Sequence, residues 1–183
     1  MYAFDVAVTQ WLNSLSGHSV ILDWLVMTVS TIGVPLMILA VAAQWWVRRD
    51  RAHVRHVLIA AGLSFLLGLG LNQVILLFLH RMRPYEANVT HLIISPTVDY
   101  SFPSDHATAS FAIAAAFLLH GFSRRGAAFV VAALVIAFSR VYLGTHYVSD
   151  ILGGAATAVF AAGVVRSLYA ENTRVDRFLT SLL

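Results

Sequence analysis

The stretch from Val20 to Val47, VILDWLVMTVSTIGVPLMILAVAAQWWV, holds a single charged side chain, Asp23. A run of about 20 mostly apolar residues is long enough, as a helix, to cross the hydrocarbon core of a bilayer, and there the backbone polar groups must be satisfied within the segment. Four further runs of this kind follow, at about Val54 to His80, Ser104 to Phe122, Gly126 to Leu143 and Val148 to Tyr169. Five such segments predict an all-α integral membrane protein, a bundle of about five transmembrane helices. The composition agrees: 59% of residues are hydrophobic and 11% charged, against roughly 25% charged in soluble domains. A chain of 183 residues fits one membrane-embedded domain spanning 1–183.

The flanks read differently. Phe4, Ala7, Val8, Trp11, Leu12 and Leu15 recur at helical spacing in a segment too short and too polar to span, which predicts an N-terminal amphipathic interfacial helix. The tail from Glu171 reads as a shorter one. Pro35 is placed to kink the first span, and Trp45 and Trp46 mark its interfacial end. The first 15 residues lack a basic n-region, so no cleavable signal peptide is expected. With no cysteine, disulfides and Cys-ligated metal sites are excluded. The net charge of +3 is too small and too dispersed to suggest a nucleic-acid partner.

That charge bears instead on orientation. Arg48, Arg49, Arg51 and Arg55 follow the first span, Arg124 and Arg125 the third, and Arg166, Arg174 and Arg177 end the chain. With five spans these fall on one side, which the positive-inside rule makes cytoplasmic. The N-terminal segment, the long connection from Arg81 to Pro103 and the short loop around Gly144 to Ser149 then lie outside. The long connection holds three of the four prolines, and loops of such length are more often functional than idle.

Ionisable and polar residues gather at the outer ends of the spans: Arg83 in HRMRPY, then Ser104, Asp105 and His106 in PSDHA, then Arg140, His146 and Asp150 in SRVYLGTHYVSD. Each has a plain structural explanation. Ser104 is placed to cap a helix, Arg83 and Arg140 to snorkel to headgroups, and His146 and Asp150 to form an interfacial pair. Their joint occurrence at one membrane level is what points to a site. A helix N-terminus behind Ser104 suits phosphate, and two guanidinium forks suit its oxygens. His146 and Asp150, four apart, share a face if helical, so that Asp150 would fix the imidazole tautomer and leave the other nitrogen as nucleophile or base. His106, on a separate segment, is the candidate proton donor. This set reads as phosphoryl transfer. His18, His80, His91 and His120 are given no role, and GLSFLLGLGLN and GGAATAVFAAG read as close helix packing.

The segments RP, PSDH and SRVYLGTHYVSD resemble the three signatures of the type-2 phosphatidic-acid phosphatase superfamily, over about Asn72 to Gly154. FPSDHAT and SRVYLGTHY are most similar to its bacitracin-resistance, undecaprenyl-diphosphate phosphatase type. The resemblance implies that His146 becomes a transient phosphohistidine, that Asp150 orients it, and that His106 protonates the leaving oxygen. It implies that Arg83, Arg140 and Ser104 bind the phosphoryl oxygens without metal or cofactor. The substrate implied is a polyprenyl diphosphate lipid in a bacterial plasma (inner) membrane, hydrolysed on the periplasmic or extracellular face to the monophosphate and phosphate, which recycles the carrier for peptidoglycan synthesis and confers bacitracin resistance. Alternatives are a phosphatidic acid or phosphatidylglycerophosphate phosphatase, or a non-catalytic lipid transporter or scaffold. Two positions depart from the wider family pattern. Leu76 stands where a lysine is usual, with Arg81 a candidate for the missing charge. Asp105 replaces the usual glycine, and is expected to contact substrate or an arginine.

Overall fold

The computed structural model describes residues 2–182, and these are helical with connecting loops. The elements are α1 (Tyr2–Asn13), α2 (Val20–Ala42) continued by a 3-10 turn (Ala43–Trp46), α3 (Arg51–Leu76), α4 (Asp105–Leu119), α5 (Ser123–Tyr142), α6 (Val148–Leu168) and α7 (Arg174–Ser181). The Ser19 hydroxyl accepts from the Leu22 amide and starts α2. Gly121, at φ 84°, lets the chain turn between α4 and α5.

Among the described residues, four segments are long and apolar enough to cross a membrane: Val20–Trp46, Arg51–Leu76, Ser123–Tyr142 and Val148–Leu168. The remaining apolar run begins only at Asp105 and ends at Leu119, about 22 Å of helix against a core of about 30 Å. α4 tolerates this because its surroundings are protein. It packs on α3, α5 and α6, and Ala107, Ala109, Ala112, Ala114 and Ala116 are all buried, small residues that let neighbouring backbones approach. Towards its C-terminal end Phe117 enters a cluster with Met37, Val54, Val57 and Ile136. At the N-terminal end of this short central helix Ser104 is fully buried.

Loop 77–104 and α1 close that end. The Asn13 side chain donates to the carbonyls of His91 and Tyr142 at 2.9 and 2.8 Å and accepts from the His91 amide at 2.7 Å. One side chain thereby joins α1, the loop and the end of α5. At the opposite end α7 is fastened by Asp176, which accepts from His56 of α3 and from Tyr169.

Candidate active site

His146 lies in the loop between α5 and α6. Gly144, at φ 81°, makes the turn that places it, and a Cβ there would lie 2.5 Å from the His91 carbonyl oxygen. The His146 ring is buried. Its Nδ1 is 2.8 Å from the Ser101 carbonyl and its Nε2 is 3.3 Å from Arg83 Nη1. A carbonyl only accepts and a guanidinium only donates, so Nδ1 carries the proton and Nε2 the free lone pair.

The expected helical His146–Asp150 pair takes a different form. His146 precedes α6 and Asp150 lies in its first turn. The carboxylate Oδ2 is 3.5 Å from Nδ1, too long for a hydrogen bond. Asp150 is engaged elsewhere. Oδ2 accepts from the Ser101 hydroxyl at 2.5 Å and the Tyr147 amide at 2.8 Å, and Oδ1 accepts from Arg81 at 2.6 Å. It holds the ring at one remove, by fixing the residue whose carbonyl takes the imidazole proton. Burial pushes the His146 pKa down; the Asp150 carboxylate opposes this, and the nearby Arg83 and Arg140 charges reinforce it.

Arg83 is buried and fully directed. Nε and Nη2 donate to the Asp99 backbone and carboxylate at 3.0 and 2.7 Å, and Nη1 to the Thr145 carbonyl at 2.9 Å. Burial alone would raise the Asp99 pKa, yet Arg83 holds it below the usual carboxylate value. Arg140, near the end of α5, donates to the Ser30 hydroxyl at 2.5 Å, while its buried Nε has no partner. Ser104 occupies the N-cap position of α4, but its side chain makes no capping bond, and its fully buried Oγ is also without a partner. The amides of Asp105, His106 and Ala107 begin the helix, where intrahelical acceptors are lacking. His106 is close enough to His146, Arg83 and Arg140 for their charges to interact. Buried donors without acceptors call for an explanation. Here Ser104 and Arg140 supply them beside an imidazole lone pair, a helix N-terminus and a second guanidinium, an arrangement suited to an anion.

Asp105 is tied neither to an arginine nor to this cluster. Its carboxylate accepts from Asn72 of α3 at 2.7 Å, and Asn72 also donates to Thr108 at 2.9 Å. Arg81 pairs with Asp150 and Asp5. Ser101, Asp99, Asn72 and Ser30 gained no role from sequence reasoning. Ser101 stands three residues before Ser104 in YSFPSDH, a proximity that hints at it; Ser30 and Asn72 are brought in by helix packing alone.

A profile of the PAP2 superfamily matches residues 57–174. The chain is 32% identical to undecaprenyl-diphosphatase BcrC of Bacillus subtilis over 148 residues, 81% of this chain and 75% of that protein. It is 36% identical to the putative undecaprenyl-diphosphatase YbjG of Escherichia coli over 127 residues, 69% of this chain and 60% of that protein. The fold matches the crystal structure of a transmembrane PAP2-type phosphatidylglycerolphosphate phosphatase from Bacillus subtilis with a TM-score of 0.67 at 21% identity, over 94% of this chain and 88% of that one. Fold, apolar helices and family agree on an all-α, multi-pass membrane protein: the chain belongs to the PAP2 superfamily.

Proposed function

We propose that the protein is a lipid phosphatase that hydrolyses undecaprenyl diphosphate to undecaprenyl phosphate and inorganic phosphate. The observation that carries this reading is the buried His146 Nε2 lone pair facing Arg83, with the partnerless donors of Ser104 and Arg140 nearby. The substrate follows from the two relatives named for undecaprenyl diphosphate. An apolar groove of about 460 Å³ between α2 and α5 supports a long hydrocarbon tail. Val29, Ile32, Leu36, Phe129 and Ile136 line it, and Ser30 and Arg140 join the same two helices near it.

In the first step His146 Nε2 attacks the terminal phosphorus and the bond to the bridging oxygen breaks. His106 gives its proton to that oxygen, and undecaprenyl phosphate leaves. Arg83, Arg140, Ser104 and the α4 amides hold the three phosphoryl oxygens as charge redistributes. In the second step water attacks the phosphohistidine, His106 takes the water's proton, and phosphate is released with His146 neutral again. Asp105 sets the start of α4 through Asn72. The site faces the periplasm or exterior of a bacterial plasma membrane, where spent carrier lipid is left, and recycling it supports peptidoglycan synthesis and bacitracin resistance.

The test is phosphate release by purified protein in detergent with EDTA, from undecaprenyl diphosphate, phosphatidic acid and phosphatidylglycerophosphate in parallel, with His146→Ala as the blank. Release fastest from the prenyl diphosphate is expected. Preference for either glycerolipid would move the substrate within the lipid phosphatases. No release from any of the three would overturn the catalytic reading in favour of a transporter or scaffold.

A further inference from the structure

Asp5 of α1 and Arg81 of the long connection stand outside the phosphate-facing set, yet they lead directly to the carboxylate behind His146. Arg81 Nη1 donates to Asp150 Oδ1 and to the Ser149 hydroxyl, both at 2.6 Å, and Nη2 donates to Asp5 Oδ2 at 2.7 Å. Its guanidinium carbon lies 3.9 Å from the centre of the Tyr147 ring. Asp5 in turn accepts from the Ser149 amide at 2.9 Å and from its hydroxyl. An arginine bridging two carboxylates uses both prongs of its fork, which a lysine cannot reproduce.

We propose that Asp5 and Arg81 are positioning residues for the reaction: Arg81, clamped by the N-terminal helix through Asp5, fixes Asp150 and Ser101 so that the Ser101 carbonyl holds the His146 ring, and offsets the Asp150 charge so that His146 stays neutral. This rests on His146 being the nucleophile. The interfacial helix thereby becomes part of the catalytic apparatus. Burial works against the Arg81 charge, but the Asp5 hydrogen bond and the two carboxylates outweigh it and raise its pKa, so it remains a cation. The charges around His146 are Arg83 with Asp99 from the connection, Arg140 from α5, His106 from α4 and Asp150 from α6, with Arg81 and Asp5 behind Asp150. Removing the Arg81 charge leaves Asp150 less compensated, which favours the imidazolium. Turnover rises as His146 loses its proton, so its acid limb then moves to higher pH.

The experiment compares Arg81→Gln, Arg81→Lys and Asp5→Asn with wild type on undecaprenyl diphosphate, measuring kcat, KM and the pH profile. In parallel, carbon NMR of labelled histidine follows the His146 titration, with the resonance identified by its loss in His146→Ala. Arg81→Gln is expected to lower kcat about 10- to 100-fold with KM nearly unchanged, by analogy with outer partners that orient metal-bound imidazoles. Its acid limb and the His146 titration should rise by about one pH unit, the scale of one charge at several ångströms in a partly buried site. Arg81→Lys should restore the titration but only part of kcat. Asp5→Asn, nearly isosteric, should lower kcat with KM nearly unchanged, and its thermal midpoint in detergent is measured alongside. A raised KM with unchanged kcat would put Arg81 on the substrate and overturn the proposal. So would a His146 titration unmoved in Arg81→Gln, a readout that stands even if wild type releases no phosphate and the proposed function fails.

Discussion

At the scale of single residues, Ser104 separates a structural from a chemical role. A serine before a helix is ordinarily a cap, and losing a cap costs about 1 kcal/mol. Here the hydroxyl caps nothing and is buried without a partner. Ser104→Ala is therefore expected to leave the thermal midpoint in detergent unchanged while lowering kcat about 100-fold or more, as for other donors aimed at developing charge. A fall in both would return Ser104 to a purely structural part. His146 gives the second residue-scale expectation. Because burial depresses its pKa, the neutral form persists below the ordinary histidine value of about 6.5, and the acid limb of kcat/KM should lie below that pH. A limb above pH 7 in the wild type would contradict the buried, arginine-flanked setting. The convergence of His146, His106, Arg83 and Arg140 was legible because motif spacing marks residue type and order. The Ser101 carbonyl was not, since a backbone acceptor leaves no trace in side-chain identity. The four-residue His146–Asp150 spacing misled for a related reason: it implies one helical face, but α6 begins after the histidine.

At the scale of elements, the helices follow the apolar runs closely, because hydrophobic length and loop arginines are visible in sequence. What composition could not convey was how α4 is packed. Its Ala-rich face reads as weakly amphipathic, yet it is the centre of the bundle, and its closeness to α6 depends on Gly154. A Cβ there would stand 2.6 Å from the Ser104 carbonyl oxygen and 3.0 Å from Thr108 Oγ1. The first contact is backbone, so α6 must move away from the start of α4. Gly154→Ala is expected to destabilise by about 1–3 kcal/mol, the usual cost of overpacking, and to lower kcat by displacing Ser104. Gly163→Ala on the same helix meets nothing within 4 Å and should leave kcat unchanged with stability equal or slightly raised. Thermal unfolding and phosphate release on the pair check this; equal effects would remove the packing explanation. The role of α1 was half legible. Its apolar spacing marks an interfacial helix, but the meaning of Asp5 depends on Arg81, 76 residues away, a separation at which local pattern says nothing.

At the scale of the whole molecule, the arginine-rich loops and the site lie at opposite ends. The cluster around His146, α1 and loop 77–104 close one end, while the loop before α3, the turn between α4 and α5, and α7 form the other. Arg48, Arg49, Arg51, Arg55, Arg124, Arg125, Arg166, Arg174 and Arg177 belong to that second end. Arginine in short loops resists translocation, so the site end is expected outside. The chain has no cysteine, which makes single-cysteine labelling unambiguous. Val98 and Arg124 are exposed, one at each end. Val98→Cys should react with a membrane-impermeant maleimide in intact bacterial cells stripped of any outer membrane barrier, and Arg124→Cys only after permeabilisation. The reverse pattern would place the site in the cytoplasm, where it would meet newly made lipid phosphates rather than spent carrier. The chemistry proposed for His146 would survive that result, but its assignment to carrier recycling at the outer face would not.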